Sequence, residues 1–370
     1  IEAAAAYSLR NLSDSYAGNV VEVRRSSDGA VRSFTAAEVT DGTLVAWVSE
    51  APIAQNSTSN PYTTFSNASN TGFTATLSSG VAFAGFGNVE GSSGDSVTVS
   101  FDLNVVSGSP FLALRAGLTS ISSASNYQIY SSSGSYSLTM TATGDFSLIG
   151  FSEGDIPSEF TVSNFEITSV SGATYVRDGT VSKWYDQSTT SGTPNANHSV
   201  QTDAAVQPKI VDAGSLVAGG LDFDGGAKHI DFTPFSATNE TIFVQSSTRL
   251  SNAFSTIISG ADNRAVISQT SSSVSYNVTA GAFASISAAS VAGKQLFTFN
   301  RDGTNVNCYQ NGSLLGSNTT YANSSIQRSV IGRRGNAEGH YVGSISEVII
   351  YKSDQTDNRT ALEANIGEVY

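Results

Sequence analysis

Charge is scarce in this chain. Lys, Arg, Asp and Glu fill only 13% of its 370 residues, against ~25% in an ordinary soluble domain. Cys308 is the sole cysteine, which excludes an intramolecular disulfide and a cysteine-based metal cluster. No apolar run approaches the ~20 residues of a membrane-spanning helix, so membrane insertion is not expected. No secretory leader is visible, and the first residue is Ile1 rather than Met. The numbering is therefore expected to begin inside a longer gene product or after processing. Cationic excess is missing too: 18 Lys and Arg face 31 Asp and Glu, a formal net charge of -13. Nucleic acid is not an expected partner, since phosphate binding needs a basic face.

Hydroxyls take the place of charge. Ser and Thr fill about a quarter of the chain, and 34 Gly accompany them. With 19 Phe and 14 Tyr, there is enough apolar area to build cores, which argues against disorder. The length suggests two or three domains, at ~100–200 residues each.

Most of the chain alternates as strands do. The clearest segments are 20–25, 97–103, 137–143, 160–167, 241–245, 295–300, 306–310 and 344–351. Turn pairs punctuate them: Asp28-Gly29, Asp41-Gly42, Asp302-Gly303 and Asn311-Gly312. Helical spacing is read at each end, over Ala3–Tyr16 and after Ser353 or Asp354, where Ala361, Leu362, Ile366 and Val369 share a face. Many short strands between polar turns predict an all-β sandwich or jelly roll with short terminal helices.

Three sets of segments carry a resemblance. The hairpin from Phe297 through Arg301-Asp302-Gly303 to Tyr309-Gln310-Asn311-Gly312 resembles laminin-G and concanavalin A-like sandwiches. The order of Ala5–Arg10, Val23–Asp28, Val181-Ser-Lys-Trp-Tyr-Asp-Gln-Ser188, His198, Gln207-Pro208 and Gly220–Gly225 resembles the catalytic sandwich of arabinofuranosidase B-type enzymes and related virion proteins of tailed phages. Those proteins keep the Arg-Arg-Ser-Ser-Asp and Trp-Tyr-Asp-Gln segments close in sequence, whereas here a long stretch separates them. Within it, Gly94–Phe101, Gly134–Thr143 and Phe160–Ile167 resemble a carbohydrate-binding-module jelly roll. The expected organisation is a concanavalin A-like β-sandwich from 1–51 and 171–370, with a second β-sandwich, 52–170, inserted into one of its loops. Insertion at an exposed loop costs little when the guest's ends lie close together.

The resemblance also gives places to look for chemistry. A glycosidase of this kind needs two carboxylates flanking the scissile bond. The family's nucleophile aligns with Asn263 and its acid with Asn336. Amides neither attack a sugar carbon as a carboxylate does nor deliver the proton, so no enzyme activity is expected. Asp262 adjoins the first position and Glu338 lies near the second, next to His340 in the Arg334–His340 loop. Glycan contact is assigned to Tyr127, Tyr130, Asp262, Asn263, Arg334, Asn336, Glu338 and His340. Trp184 and Tyr185 allow either sugar stacking or, for Trp184, burial in the core. Cys308 reads as a buried small hydrophobe. Asp222 and Asp224, two apart on a strand, allow a Ca2+ site, an acid pair or a strand-end turn. His198, His229 and His340 have no metal-ligand spacing, and no cofactor is implied.

Three functions remain open at this point. The first is a non-enzymatic structural or adhesion subunit of a tailed-phage virion (fibre, spike or decoration), with glycans, other virion proteins and further copies of itself as partners. The second is a secreted arabinofuranosidase-type hydrolase. The third is a bacterial surface adhesin.

Overall fold

The computed structural model describes residues 2–50, 53–55, 63–69, 71–78, 82–110, 112–116, 128–153, 157–172, 174–175, 177–190, 192–248, 255–260, 266–269, 273–279, 282–287, 293–319, 325–335 and 338–367. The chain is almost entirely antiparallel β-structure. It divides into two compact units: Ile1–Arg24 with Ala30–Val45 and Gly179–Tyr370, and Arg25–Gly29 with Ala46–Asp178.

The first unit is built on the strand Val342–Tyr351, of which every residue except the first is buried. Along one side it pairs with Glu240–Thr248, which continues through Gly293–Asp302 and Asn305–Gln310 to Ser313–Asn318. Its other side is shared: Leu221–Asp224 pairs with its first half and Ala5–Ser8 with its second. A second layer runs from Ala282–Ser287 through Ser273–Thr279, Val266–Gln269, Ser255–Ser259 and Ile326–Ile331 to Ile230–Ala237. Short strands at 179–184, 199–200 and 209–212 link the two layers. The Gly293–Asp302 strand is buried on both faces. On one face Phe299 lies parallel to Tyr276, with ring centroids 6.1 Å apart. On the other, Leu296 packs with Phe243, Ile349 and Ile366, while Thr298 donates a hydrogen bond to Glu363 Oε1 (2.7 Å).

That core also holds ions. Arg328 and Glu240 are fully buried and paired, and Tyr276 donates its phenolic hydrogen to the same carboxylate. Burial next to the Glu240 charge holds the Tyr276 hydroxyl well above its ordinary titration range. Cys308 is fully buried in a neighbouring strand, and burial pushes its thiol up to about 12. It is the inert small hydrophobe its sequence position implied.

The second unit has two antiparallel sheets. One is ordered 134–141, 96–108, 158–171, 72–77, 63–69. The other is ordered 128–130, 112–116, 146–153, 82–91, with 174–175 and 53–55 both pairing to 82–91. Period-two alternation sends Val97, Val99, Phe101 and Leu103 into the core and leaves Thr98, Ser100 and Asp102 on the outer face.

The strands read from the sequence are present in this architecture, with bounds moved by a few residues. The helix read over Ala3–Tyr16 is not there. Ala5–Ser8 is a strand with all four residues buried, because the open side of Val342–Tyr351 takes it up in register. Tertiary pairing overrides the helical preference of an alanine run. The C-terminal helix forms at Arg359–Gly367 and buries Ile366. Two unforeseen short helices, Ala36–Thr40 and Thr43–Ser49, follow the strand Val31–Thr35. The first carries a capping box: Thr35 accepts from the Glu38 amide while Glu38 accepts from the Thr35 amide.

We propose that the second unit is an inserted domain that folds alone. Residues 46–178 expressed in isolation should give a β-type circular dichroism spectrum and a cooperative thermal transition. A disordered chain would contradict the insertion.

Candidate functional site

A polar knot ties the N-terminal segment to the loop that follows Trp184. Trp184 is fully buried, and its ring packs 5.7 Å from that of Tyr7, also fully buried. Asp186 Oδ1 accepts from the amides of Ala6 and Ser188 (both 2.9 Å). Gln187 Nε2 donates to the carbonyls of Ser8 (3.0 Å) and Arg10 (2.8 Å), and its Oε1 accepts from the Leu12 amide (2.9 Å). The Tyr7 hydroxyl donates to the Asn197 carbonyl at 2.6 Å. Burial and the neighbouring Asp186 charge keep that hydroxyl protonated far above its ordinary range.

Against this knot lies an open groove of ≈ 660 Å³. Its walls are Glu2–Ala4, Thr189-Thr190 from the tight hairpin with Thr193-Pro194, the Asn195–Asn197 stretch, Thr233–Phe235 and Lys352-Ser353. The Asn195 side chain is spent on structure: Nδ2 donates to Ala3 O (3.2 Å) and Ser188 Oγ (2.8 Å), and Oδ1 accepts from Thr190 (2.9 Å). Asn197 clasps the backbone of Thr233 in both directions, at 2.8 and 3.2 Å. A side-chain amide has two N–H donors and an oxygen with two lone pairs, so Asn197 retains one of each for a ligand. Phe235 is half-buried, its ring 5.8 Å from that of Phe232, with Lys352 Nζ 5.9 Å from its centroid. The groove's lining therefore includes an aromatic ring, a pre-positioned amide, hydroxyls and one charge of each sign.

His198 closes the inner end of this stretch of chain. Its Nδ1 accepts from the Asp186 amide (3.1 Å), and its ring meets Tyr185 edge-on at 4.9 Å. An accepting Nδ1 leaves the neutral ring with its proton on Nε2. Burial lowers its pKa from the ordinary 6.5, opposed in part by the Asp186 charge.

The residues assigned to glycan contact from sequence do not assemble into one site. Tyr127, Asp262, Asn263 and Asn336 lie outside the described residues. Tyr130 is a core side chain, 5% exposed, packed on Phe101 (5.2 Å) and Tyr136 (4.4 Å). The assignment to it is corrected: its strand turns the ring inward. Arg334, Glu338 and His340 share one loop of the first unit, closed by a hydrogen bond from the Arg334 amide to Glu338 O (2.9 Å). Arg334 and His340 are half-buried there and Glu338 is exposed. Among the described residues, no group of three His, Cys, Asp or Glu side chains forms a metal cage. Asp222 lies on the Leu221–Asp224 strand, and Asp224 accepts from the Gly226 amide (2.8 Å) at its end, which is the strand-end turn. The groove residues Phe235, Asn197 and Lys352 were missed. Pro234-Phe235 between Thr233 and Ser236 was the available signal, an aromatic in a polar run.

No family model matches the chain, and no curated protein does. Solved structures that do match are distant. One is a Trypanosoma rangeli sialidase in complex with sialic acid (14% identity, 49% of this chain and 30% of that one, TM-score 0.35). Another is the carbohydrate-binding module of a Ruminococcus gnavus sialidase bound to sialyllactose (12%, 36% and 97%, 0.27). A third is a Bacteroides ovatus protein described as carbohydrate binding (12%, 78% and 78%, 0.31). The chain thus spans less than a third of the Trypanosoma sialidase's length. At these TM-scores the likeness assigns neither a reaction nor residues. The expectation that the chain is no enzyme is withdrawn. Several matches are sialidases, which are glycoside hydrolases, and Asn263 and Asn336 speak only against one arrangement of carboxylates.

The His198 geometry sets a pH dependence. In the unfolded chain His198 takes up a proton as the pH falls through 6.5, whereas the folded ring resists until lower pH. Its stabilising contribution is present above 6.5 and is lost as the pH falls from there through the depressed folded value. The melting temperature should therefore drop more between about pH 7.5 and about pH 5 in the natural chain than in His198→Asn, which keeps an acceptor but does not titrate. Parallel slopes in calorimetry would contradict the assignment.

Proposed function

We propose that the chain is a glycan-binding β-sandwich protein and that the groove beside Phe235 holds the sugar. The observation that carries this reading is the groove's composition. Sugars present hydroxyls in fixed directions around a flat C–H face, which an aromatic ring and pre-positioned amides complement. Phe235 and Asn197 supply these two elements, and Thr189, Thr190, Thr233 and Ser353 add hydroxyls to the lining. The Bacteroides ovatus and Ruminococcus gnavus structures are described as carbohydrate-binding or glycan-bound, in keeping with the proposal.

The finer reading is a tailed-phage virion subunit (fibre, spike or decoration) that adheres to host glycans. It is supported by the ordered sequence segments that resemble such proteins, and by a surface of hydroxyls with few charges. Its partners would be cell-surface glycans, other virion proteins and further copies of the chain. Weak sites presented in many copies would provide adhesion through avidity.

A glycan array with the full chain should identify one glycan class. Phe235→Ala should then weaken binding by about tenfold, the worth of one aromatic contact. Asn197→Ala should weaken it in the same direction. Release of reducing sugar from the array's best binder, followed in parallel, tests the hydrolase alternative. Binding unchanged by Phe235→Ala would remove the groove from consideration.

A further inference from the structure

Two atoms of the Asp186 knot are not satisfied by its protein groups. Trp184 is fully buried and Asp186 is 3% exposed. Among the described residues, no acceptor reaches Trp184 Nε1 and no donor reaches Asp186 Oδ2, and both atoms are themselves buried. Asp186 Oδ1 is spent on the amides of Ala6 and Ser188, so one oxygen of the carboxylate is satisfied and the other is not. Native interiors pair nearly all such groups, either with protein or with ordered water.

The two atoms are complementary, and the backbone puts their side chains on one side. An indole N–H only donates, and a carboxylate oxygen only accepts. Trp184 ends the strand Gly179–Trp184, and Asp186 extends it as the bridge partner of Tyr7. Residues two apart on an extended chain share a face. The alternation is visible here: Trp184 and Asp186 are buried, while Tyr185 between them is half-buried and shares a hydrogen bond with Ser33 Oγ (2.9 Å). Both side chains adjoin Tyr7. The Trp184 ring lies 5.7 Å from that of Tyr7, and the Asp186 charge acts on the Tyr7 hydroxyl. That hydroxyl gives its hydrogen to the Asn197 carbonyl, so its oxygen keeps a lone pair for another donor.

These groups define the guest that would satisfy them. A cation would meet the positive edge of the indole, and an anion would meet the carboxylate. A neutral molecule that accepts on one side and donates on the other suits both. Burial of Trp184 and Asp186 restricts it to the smallest such molecule, which is water.

We propose that one internal water molecule bridges Trp184 Nε1 and Asp186 Oδ2 as a fixed part of the knot, accepting from the indole and donating to the carboxylate. Its second hydrogen can go to the Tyr7 oxygen, which completes the ~3 hydrogen bonds typical of a buried water. The site is separate from the groove beside Phe235, whose lining includes neither Trp184 nor Asp186. It stands whether or not that groove binds a sugar.

The test is NMR of the full chain with isotopically labelled indoles. The sequence has two tryptophans, Trp47 and Trp184, so two indole signals appear and Trp184→Phe assigns them. The Trp184 indole proton should show cross-relaxation with water, of the sign given by a long-lived bound molecule. Asp186→Asn keeps the shape of the side chain and an acceptor for the Ala6 and Ser188 amides, but it puts a donor in place of Oδ2. That variant should lose the water peak at Trp184. A high-resolution crystal structure of the natural chain should show one water within hydrogen-bond distance of both atoms, and it decides the matter should Asp186→Asn disturb folding. No bound-water peak at Trp184, a peak unchanged in a folded Asp186→Asn, a metal ion in the density, or a protein acceptor on Trp184 Nε1 would each overturn the proposal.

Discussion

Everything near the Phe235 groove depends on one buried carboxylate and its neighbour. Asp186 and Gln187, each 3% exposed, lie where the Ala5–Ser8 strand passes the loop after Trp184. Their side chains and backbone satisfy amides and carbonyls of residues 6, 8, 10 and 12. A buried polar group without a partner costs ~1–3 kcal/mol, so these groups hold the loop in one place. Asn195 holds this stretch to Ala3 and Ser188, and Asn197 fixes Thr233 and hence the approach to Phe235. A surface poor in charge gets its order here from amides and one carboxylate rather than from ion pairs.

The same economy appears in the interior. The Arg328–Glu240 pair is fully desolvated, and Tyr276 completes the carboxylate's shell. Such pairs add little net stability over an apolar core, but removing one partner costs ~3–5 kcal/mol. The cluster ties three strands, 240–248, 273–279 and 326–331, that belong to opposite layers of the sandwich. With few charges available, the chain places these where only one layer register satisfies them.

Much of the fold was legible because strands announce themselves by period two. Val97–Leu103 alternates cleanly, and Asp302-Gly303 and Asn311-Gly312 mark their turns, with positive φ at Gly303, Asn311 and Gly312. The N-terminus was misread because four buried residues in a row, Ala5–Ser8, show no alternation when both faces of a strand are covered. Cys308 is in the core as read, Trp184 takes the buried one of its two readings, and Tyr130, assigned to glycan contact, is in the core as well. Its neighbours Gln128 and Ile129 are exposed, so local sequence gave no sign that its own ring turns inward. The groove was least legible of all. Its residues come from four separated stretches, around 2–4, 189–197, 233–235 and 352–353, which meet only through the pairing of the first strand with Val342–Tyr351 and the long-range bonds of Asp186, Asn195 and Asn197. Of the assigned loop residues, Arg334, Glu338 and His340 do share a loop, but the groove's lining includes none of them.

The account's central claim is that ligand recognition centres on the groove beside the Asp186 knot. The most direct measurement is an NMR titration of the isotopically labelled full chain with the best glycan from an array. The account predicts amide shift changes at Thr189, Thr190, Asn195–Asn197, Thr233, Phe235 and Lys352. Changes confined to the Arg334–His340 loop, or to residues 46–178, would contradict it.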